Sequence, residues 1–228
     1  MTNSRNGHLE MVKVLLGCNM NGRIPQDSMK RALQFASRYG RIEVVRCIVE
    51  CGADVDSLTA ALYEAVNGNY VEIAALLIDN GADYNASSTY RASSWILTCG
   101  RGSPAMVRLM LDHGADPNAV DANGWSLLRV AISYSEVLKL LLEHGADPNL
   151  ADTTTGETPL MRAAIYRCVN IVNLLLEYNA DVTQENWDGK SVLDMLGHEI
   201  EVDKDNVGAY NDMIELCTQY IDRRPVLK

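Results

Sequence analysis

The chain has 228 residues, of which 47% are apolar and 22% charged, a composition that can bury a continuous core and does not indicate disorder. Its 30 acidic and 20 basic residues give a formal net charge of -10, which disfavours nucleic acid as a partner because it repels phosphate backbones. A polar N-terminus and the lack of any apolar window of about 18 residues predict no signal peptide, no membrane partner and a cytoplasmic location, with the nucleus as an alternative.

The metal-ligating residue types show no metal-site pattern. Six cysteines are scattered without CxxC pairs, and we interpret them as thiols. Cys47 and Cys51 are four residues apart and could share a metal or be oxidised, but Cys47 falls in an apolar helix column, which favours a core role. His113 and His144 are related by a repeat, so they do not share a centre. We therefore expect no metal and no cofactor.

A short motif recurs along the chain at intervals of 29, 33, 31 and 34 residues. It reads Gly-Ala-Asp four times and then Asn-Ala-Asp, at 52–54, 81–83, 114–116, 145–147 and 179–181. A period near 33 predicts a solenoid in which each unit needs its neighbours to bury its apolar face. Each motif follows an apolar run at helical spacing, which predicts an outer helix ended by a residue in the left-handed conformation.

A second signal predicts a shorter, inner helix, most clearly at 158–164. Thr158 can cap this helix, Pro159 fits its first turn, and two alanines allow close packing. Weaker copies occur at 32–36, 61–65, 93–99, 126–131 and 191–196. Together these motifs resemble the ankyrin repeat, which combines T-P-L-H-x-A-A, G-H-x-E-V-V and G-A-D. The resemblance implies an all-α ankyrin-repeat solenoid of stacked helix-turn-helix units with short β-hairpin finger loops.

The resemblance runs almost end to end, and residues 1–228 are interpreted as a single ankyrin-repeat domain. It comprises a partial N-terminal repeat at 1–18, five repeats at 25–190 and a C-terminal capping repeat at 191–228. The N-terminal edge lacks a cap, so either the chain was cut from something longer or this edge meets a partner.

Three departures from the repeat are expected to change local structure. The loop after Gly52 is short, and the repeat that contains Tyr134 lacks two residues between its helices. An acidic run at 199–205 is interpreted as an insertion before a final capping helix at 207–221.

In this family, partners dock on a concave face made by the finger-loop tips and the exposed ends of the inner helices, and the candidate residues are carried over on that basis. The inner-helix column holds Tyr39, Arg101, Tyr134 and Tyr166. The finger column holds Tyr90, Trp125, Trp187, Asp188 and Lys190. Tyrosine, tryptophan and arginine are favoured in interface hot spots. The alternatives are that each tyrosine fills a groove on the adjacent helix and that Trp125 packs on the neighbouring finger.

Two further aromatic residues and three asparagines are interpreted as having structural rather than binding roles. Trp95 and Phe35 fall in apolar columns and are predicted to be core residues. Asn85, Asn118 and Asn149 occupy the column that resembles the family's asparagine hydroxylation site, but we favour local turn hydrogen bonds for them.

The pattern predicts a binding protein rather than an enzyme, because no acid, base, nucleophile or metal cluster converges in it. The leading hypothesis is a protein–protein interaction module or scaffold whose partner is another protein with a basic segment. The alternative is the substrate- or host-targeting ankyrin part of a larger enzyme or effector whose catalytic domain lies outside this chain. We expect a monomer unless the N-terminal edge self-associates.

Overall fold

The computed structural model describes residues 26–86 and 93–223, so the predicted partial repeat at 1–18 lies outside the described residues. The chain forms two compact units, Met1–Ala115 (unit 1) and Asp116–Lys228 (unit 2). Both units are helical, and within the described residues β structure is limited to an isolated antiparallel bridge between Val120 and Ser126. The all-α prediction is confirmed, and the β character of the described finger loops is confined to that bridge.

Unit 1 contains three described helix pairs. They are α1 (Gln26–Arg38) with α2 (Ile42–Glu50), α3 (Val55–Asn67) with α4 (Val71–Asp79), and α5 (Ser94–Arg101) with α6 (Pro104–Asp112). The inner helices α1, α3 and α5 pack in sequence, and the outer helices α2, α4 and α6 do the same. Each pair therefore buries its apolar face against the next pair, as a repeat solenoid requires.

Unit 2 repeats this arrangement with a longer final pair. Its helices are α7 (Leu127–Val130), α8 (Ser135–Glu143), α9 (Pro159–Ile165), α10 (Val169–Glu177), α11 (Val192–Val202) and α12 (Val207–Arg223), with a 3-10 turn at Lys204–Asn206. The inner helices α7, α9 and α11 pack in sequence, as do α8, α10 and α12. The final helix was predicted, but α11 extends through much of the acidic run that was interpreted as an insertion.

The helix ends follow the predicted signals. Thr158 caps α9 by accepting a hydrogen bond from the Met161 N–H at 3.3 Å, and Ser126 caps α7 in the same way. Gly145 and Asn179, which follow outer helices, have φ of 88° and 66°. The short loop is also confirmed, because α3 begins at Val55, three residues after Gly52.

Of the two aromatic residues that were predicted to lie in the core, one is buried and the other is exposed. Trp95 is fully buried, as predicted. The prediction for Phe35 is wrong, because its side chain is 64% exposed. Phe35 lies two residues after the buried Leu33, and two residues correspond to about 200° around a helix, which places it on the opposite face.

The described cysteines are mostly thiols. Cys47, Cys99, Cys168 and Cys217 are thiols that form no disulfide, and burial raises the pKa of Cys217 to about 11. Cys51 is disulfide-bonded, so the prediction of thiols throughout is wrong for this residue. In the part of the chain that the structure describes, no group of three or more metal-ligating side chains could hold an ion, and no helix is long and apolar enough to span a membrane. The cytoplasmic location stays a prediction.

Candidate functional site

Of the three candidate residues in unit 1, the two that the structure describes, Tyr39 and Arg101, are both exposed. Tyr39 lies in the turn after α1 and is 51% exposed, and its ring centroid is 4.6 Å from that of Phe35, one helical turn earlier. Arg101 ends α5, and its guanidinium donates a hydrogen bond to the Asn67 side chain in the preceding inner helix. The rings of Tyr39 and Phe35 therefore form an exposed aromatic pair.

Tyr70 is an exposed aromatic residue that the column pattern did not select. It stands at the N-cap position of α4. A Cβ on Gly40 would come within 2.5 Å of the Tyr70 ring, and a Cβ on Gly68 within 2.4 Å, so the ring lies directly against both glycines. Gly68 occupies the column of Tyr39 and Arg101, and its missing side chain makes room for the neighbouring ring.

Tyr134 does not share the local position of Tyr39 and Tyr166. It is the N-cap residue of α8, the position that Tyr70 holds at α4, whereas Tyr166 is the C-cap residue of α9. The two-residue deletion between α7 and α8 brings Tyr134 forward to the start of the outer helix. Its side chain is nevertheless exposed, like that of Tyr166.

Tyr166 is held by an arginine of its own helix. The guanidinium carbon of Arg162 lies 5.1 Å from the Tyr166 ring centroid, and Arg162 donates a 3.0 Å hydrogen bond to the Tyr166 hydroxyl. The other end of the guanidinium binds Glu157 at 2.8 Å. Tyr166 remains 54% exposed, so the ring is oriented without being buried.

Trp125 is held in a similar way at the base of the first finger of unit 2. The guanidinium carbon of Arg129 lies 4.2 Å from the centroid of the Trp125 ring, and Arg129 also binds the buried carboxylate of Asp152 in the next finger. Asp152 accepts four further hydrogen bonds from the N–H and hydroxyl groups of Thr154 and Thr155. Burial alone would raise the pKa of Asp152, but these hydrogen bonds outweigh it and lower the pKa to about 2.

The last finger carries Trp187, Asp188 and Lys190, whose side chains are all exposed. The Asn186 side-chain oxygen accepts hydrogen bonds at 3.0 Å from the N–H groups of Asp188 and Lys190, which fixes the turn. The Trp187 N–H donates to the Thr155 carbonyl oxygen at 3.0 Å. Trp187 is thus held against the preceding finger, although 68% of this residue remains exposed. The packing of Trp125 on a neighbouring finger stays a prediction. Tyr90, the remaining candidate, lies outside the described residues.

The family model for ankyrin repeats in three copies matches residues 1–88 and 95–186. The chain belongs to the ankyrin-repeat family. The ankyrin repeat domain of Bcl-3, described as a unique member of the IkappaB protein family, has a similar crystal structure: the TM-score is 0.71 at 25% identity, over 83% of this chain and 85% of that one. The predicted ankyrin fold is thus confirmed, and ankyrin repeats are generally non-catalytic protein-interaction modules.

Curated relatives match parts of much longer proteins. The ankyrin repeat and KH domain-containing protein mask-1 of Caenorhabditis elegans is 34% identical over 50% of this chain and 4% of its own length. A putative ankyrin repeat-containing protein of Treponema pallidum is 30% identical over 53% of this chain and 42% of its own. The putative palmitoyltransferase ZDHHC13 of Danio rerio is 25% identical over 75% of this chain and 33% of its own. The chain spans less than half the length of each.

Two of the three finger asparagines, Asn118 and Asn149, bind the next repeat through their side chains rather than their own turn. The Asn118 side-chain oxygen accepts from the Asp147 N–H at 2.7 Å, and that of Asn149 accepts from the Asp181 N–H at 2.6 Å. The local turn is instead made by aspartates, since Asp116 accepts from the Asn118 N–H at 2.8 Å. The interpretation as local turn residues is therefore wrong for the side chains of Asn118 and Asn149.

The net charge is confined to one of the two ankyrin units. Unit 1 contains 11 basic and 11 acidic residues, whereas unit 2 contains 9 basic and 19 acidic residues. The whole formal charge of -10 therefore belongs to unit 2. This asymmetry is visible in the sequence once the boundary between the units is known.

A shallow groove of about 360 Å³ lies in unit 2, beside the shortened turn before α8. Its walls include Ile132, Ser135, Arg167 and Cys168. Arg167 is engaged by Asp203 at 2.8 Å, and burial raises the pKa of the Cys168 thiol. A thiol that stays protonated is a poor nucleophile.

Proposed function

We propose that this chain binds a partner protein through the exposed aromatic residues of its inner-helix ends and finger loops, the surface that corresponds to the concave face in this family. In unit 2 this surface contains Trp125, Tyr134, Tyr166 and Trp187, with Asp188 and Lys190 at the last finger tip. In unit 1 the corresponding surface contains Tyr39 and Arg101, and Tyr90 is assigned to it from the sequence alone.

The proposal rests mainly on one observation, which is that an arginine guanidinium lies over each of two exposed aromatic rings. Arg129 holds Trp125 and Arg162 holds Tyr166, so each ring is oriented before a partner arrives. A ring that is already oriented loses little conformational freedom on binding, and exposed tyrosine and tryptophan are typical interface anchors. Neither Trp125 nor Tyr166 is needed to fill the core, because both remain exposed.

The partner of unit 2 should carry a basic segment. The acidic excess of this unit attracts positive charge, which speeds encounter and disfavours acidic competitors. Trp125, Tyr166 and Trp187 would contact the apolar parts of that segment.

A second candidate function is the targeting part of a larger enzyme or effector. The match to one third of a putative palmitoyltransferase supports it, because ankyrin repeats there belong to a longer chain that is named as an enzyme. In that case the surface described above selects the substrate or host protein, and chemistry takes place elsewhere.

The test is affinity capture from a lysate of the source cells, followed by mass spectrometry and by titration with the purified captured protein. The wild-type chain is compared with a Trp125→Ala, Tyr166→Ala and Trp187→Ala triple variant. Ile221→Ala is the matched control, because this apolar side chain is 38% exposed but lies on the outer helix α12, away from the inner-helix ends and finger loops.

We expect the triple variant to lose a partner that Ile221→Ala retains, with single substitutions weakening binding by about 1 to 3 kcal/mol each. All variants should melt as the wild type does. Equal capture by the triple variant and the wild type would show that this surface is not the binding site.

A further inference from the structure

The exposed face of α1 carries a row of large side chains. Arg31, Phe35 and Tyr39 are spaced by four residues, which places them on one face of the helix. All three are exposed, and the two rings contact each other. We refer to Arg31, Phe35, Arg38 and Tyr39 as the α1 stripe.

The charge of the α1 stripe is opposite to that of the chain as a whole. Between Ser28 and Ile42 there are four basic residues and no acidic one. Arg38 is paired with Glu64 through two hydrogen bonds of 2.9 Å, but Glu64 is buried beneath it and the Arg38 side chain is half exposed. The charged groups that a partner meets on this face are therefore the guanidiniums of Arg31 and Arg38, with the Asp27 carboxylate one turn before Arg31.

The neighbouring inner helix leaves space beside the α1 stripe. At the positions that match Arg31 and Tyr39, α3 has Ala60 and Gly68, which are small. The ring of Tyr70 lies against Gly68 and adds a third exposed ring next to the turn of Gly40. The aromatic rings beside these small residues form an open surface along which an extended peptide segment can bind.

We propose that the α1 stripe, together with Tyr70, binds an acidic protein segment that carries apolar side chains. This inference rests on the proposed protein-binding function. It assigns an acidic ligand to unit 1, whereas the ligand proposed for unit 2 is basic. Arg31 and Arg38 attract carboxylates, while Phe35 and Tyr39 bury apolar groups. A single-stranded nucleic acid could also use arginine and aromatic rings, but the absence of a basic excess in unit 1 favours the peptide.

The experiment selects random peptides displayed on phage against the full chain, with a Phe35→Ala and Arg31→Glu variant as the counter-selection. Recovered peptides are sequenced, synthesised and titrated by fluorescence anisotropy at low and high salt. Arg46→Glu is the matched control, because Arg46 is an exposed arginine of the outer helix α2. A labelled single-stranded oligonucleotide is titrated in parallel.

We expect the retained peptides to be enriched in aspartate and glutamate together with apolar residues. Their affinity should fall at least tenfold with Phe35→Ala or Arg31→Glu, stay unchanged with Arg46→Glu, and weaken with salt. Recovery of no peptides, of basic peptides, or of peptides indifferent to Phe35→Ala overturns the inference. Tighter binding of the oligonucleotide, lost in the same variant, would overturn it in favour of nucleic acid.

The two proposals fail in distinguishable ways. If the unit 2 triple variant loses the lysate partner and no acidic peptide is recovered for the α1 stripe, the proposed protein-binding function is retained. Only the inference about unit 1 is then rejected. If acidic peptides are recovered whose binding depends on Phe35, and the triple variant captures the same partner as the wild type, binding takes place in unit 1 alone.

Discussion

The Arg129 guanidinium lies over the ring of Trp125 while it also binds the buried carboxylate of Asp152. Asp152 belongs to the next finger and is in turn bound by Thr155, whose carbonyl oxygen accepts the Trp187 N–H. A single buried carboxylate therefore connects the supports of two exposed tryptophans. The orientation of these rings is a property of the folded fingers and does not require a partner.

This connection predicts that Asp152→Ala strongly destabilises unit 2. The change removes five hydrogen bonds and leaves Arg129, which is mostly buried, without its counter-charge. We expect a loss of about 3 kcal/mol in the free energy of unfolding, measured by urea denaturation. Asp188→Ala, which removes an exposed carboxylate from the neighbouring finger, should change stability by less than about 0.5 kcal/mol. Equal effects of the two substitutions would contradict the role assigned to Asp152.

The same carboxylate should make unit 2 sensitive to acid. The pKa of Asp152 is lowered in the folded protein to about 2 from an ordinary value of 3.8, so its contribution is complete above 3.8 and is lost as the pH falls towards 2. The expected loss is on the order of 2 kcal/mol. Urea midpoints of the wild type and Asp152→Asn, compared across this window, should converge as the pH falls. Parallel curves would show that Asp152 does not titrate in this range.

The fold was largely predictable because its determinants are local and repeated. The glycines and Asn179 that end outer helices, the hydroxyl caps such as Thr158, and the small residues of the inner helices each act within a few residues of their own position. Repetition at a period near 33 then identifies the architecture, since each repeat must bury the same face against its neighbours.

The surface was less predictable because exposure depends on the angle around a helix and on loop lengths. Phe35 lies two residues from a core leucine and points outward, while the deletion before α8 moves Tyr134 to a different structural position. The arginines that orient Trp125 and Tyr166 were not identified from the sequence, because their contacts depend on rotamers and on the next finger. Gly68 in a tyrosine-rich column was the one sequence signal that could have pointed to Tyr70.

The stability of unit 1 should respond to pH near neutrality through His113. Its ring contacts the Leu109 carbonyl oxygen at 2.8 Å and the Asp79 carboxylate at 3.0 Å, and these two groups raise the pKa of His113 above 6.5. The protonated form therefore stabilises the fold fully below 6.5, and this contribution is lost as the pH rises through the folded-state pKa.

Urea midpoints measured from about pH 6 to about pH 8 should decline in the wild type and be flat in His113→Ala. Asp79→Asn should weaken the decline, because one of the two groups that favour the charged ring is removed. Val55→Ala serves as the control, since it removes an exposed side chain of unit 1 that carries no ionisable group, and its profile should follow that of the wild type. A decline that persists in His113→Ala would assign the pH dependence to another group.

Gly156 and Gly189 provide a matched test of how the last finger of unit 2 is held. Both have positive φ, 71° and 69°, so an alanine at either position brings backbone strain of about 1 kcal/mol. A Cβ on Gly156 would also lie 2.7 Å from the Trp187 ring and 2.9 Å from its backbone nitrogen, whereas a Cβ on Gly189 meets nothing within 4 Å. The steric clash therefore exists at Gly156 alone.

We expect Gly156→Ala to destabilise unit 2 by about 1 to 3 kcal/mol more than Gly189→Ala, because the finger must shift to relieve the clash. Since that shift moves Trp187 and lengthens its hydrogen bond to Thr155, tryptophan fluorescence should change in Gly156→Ala and stay at the wild-type value in Gly189→Ala. Urea denaturation and emission spectra of the two variants measure both effects. Equal destabilisation with unchanged spectra would mean that Trp187 does not rest on Gly156 in solution, and that its exposure is set by its own finger.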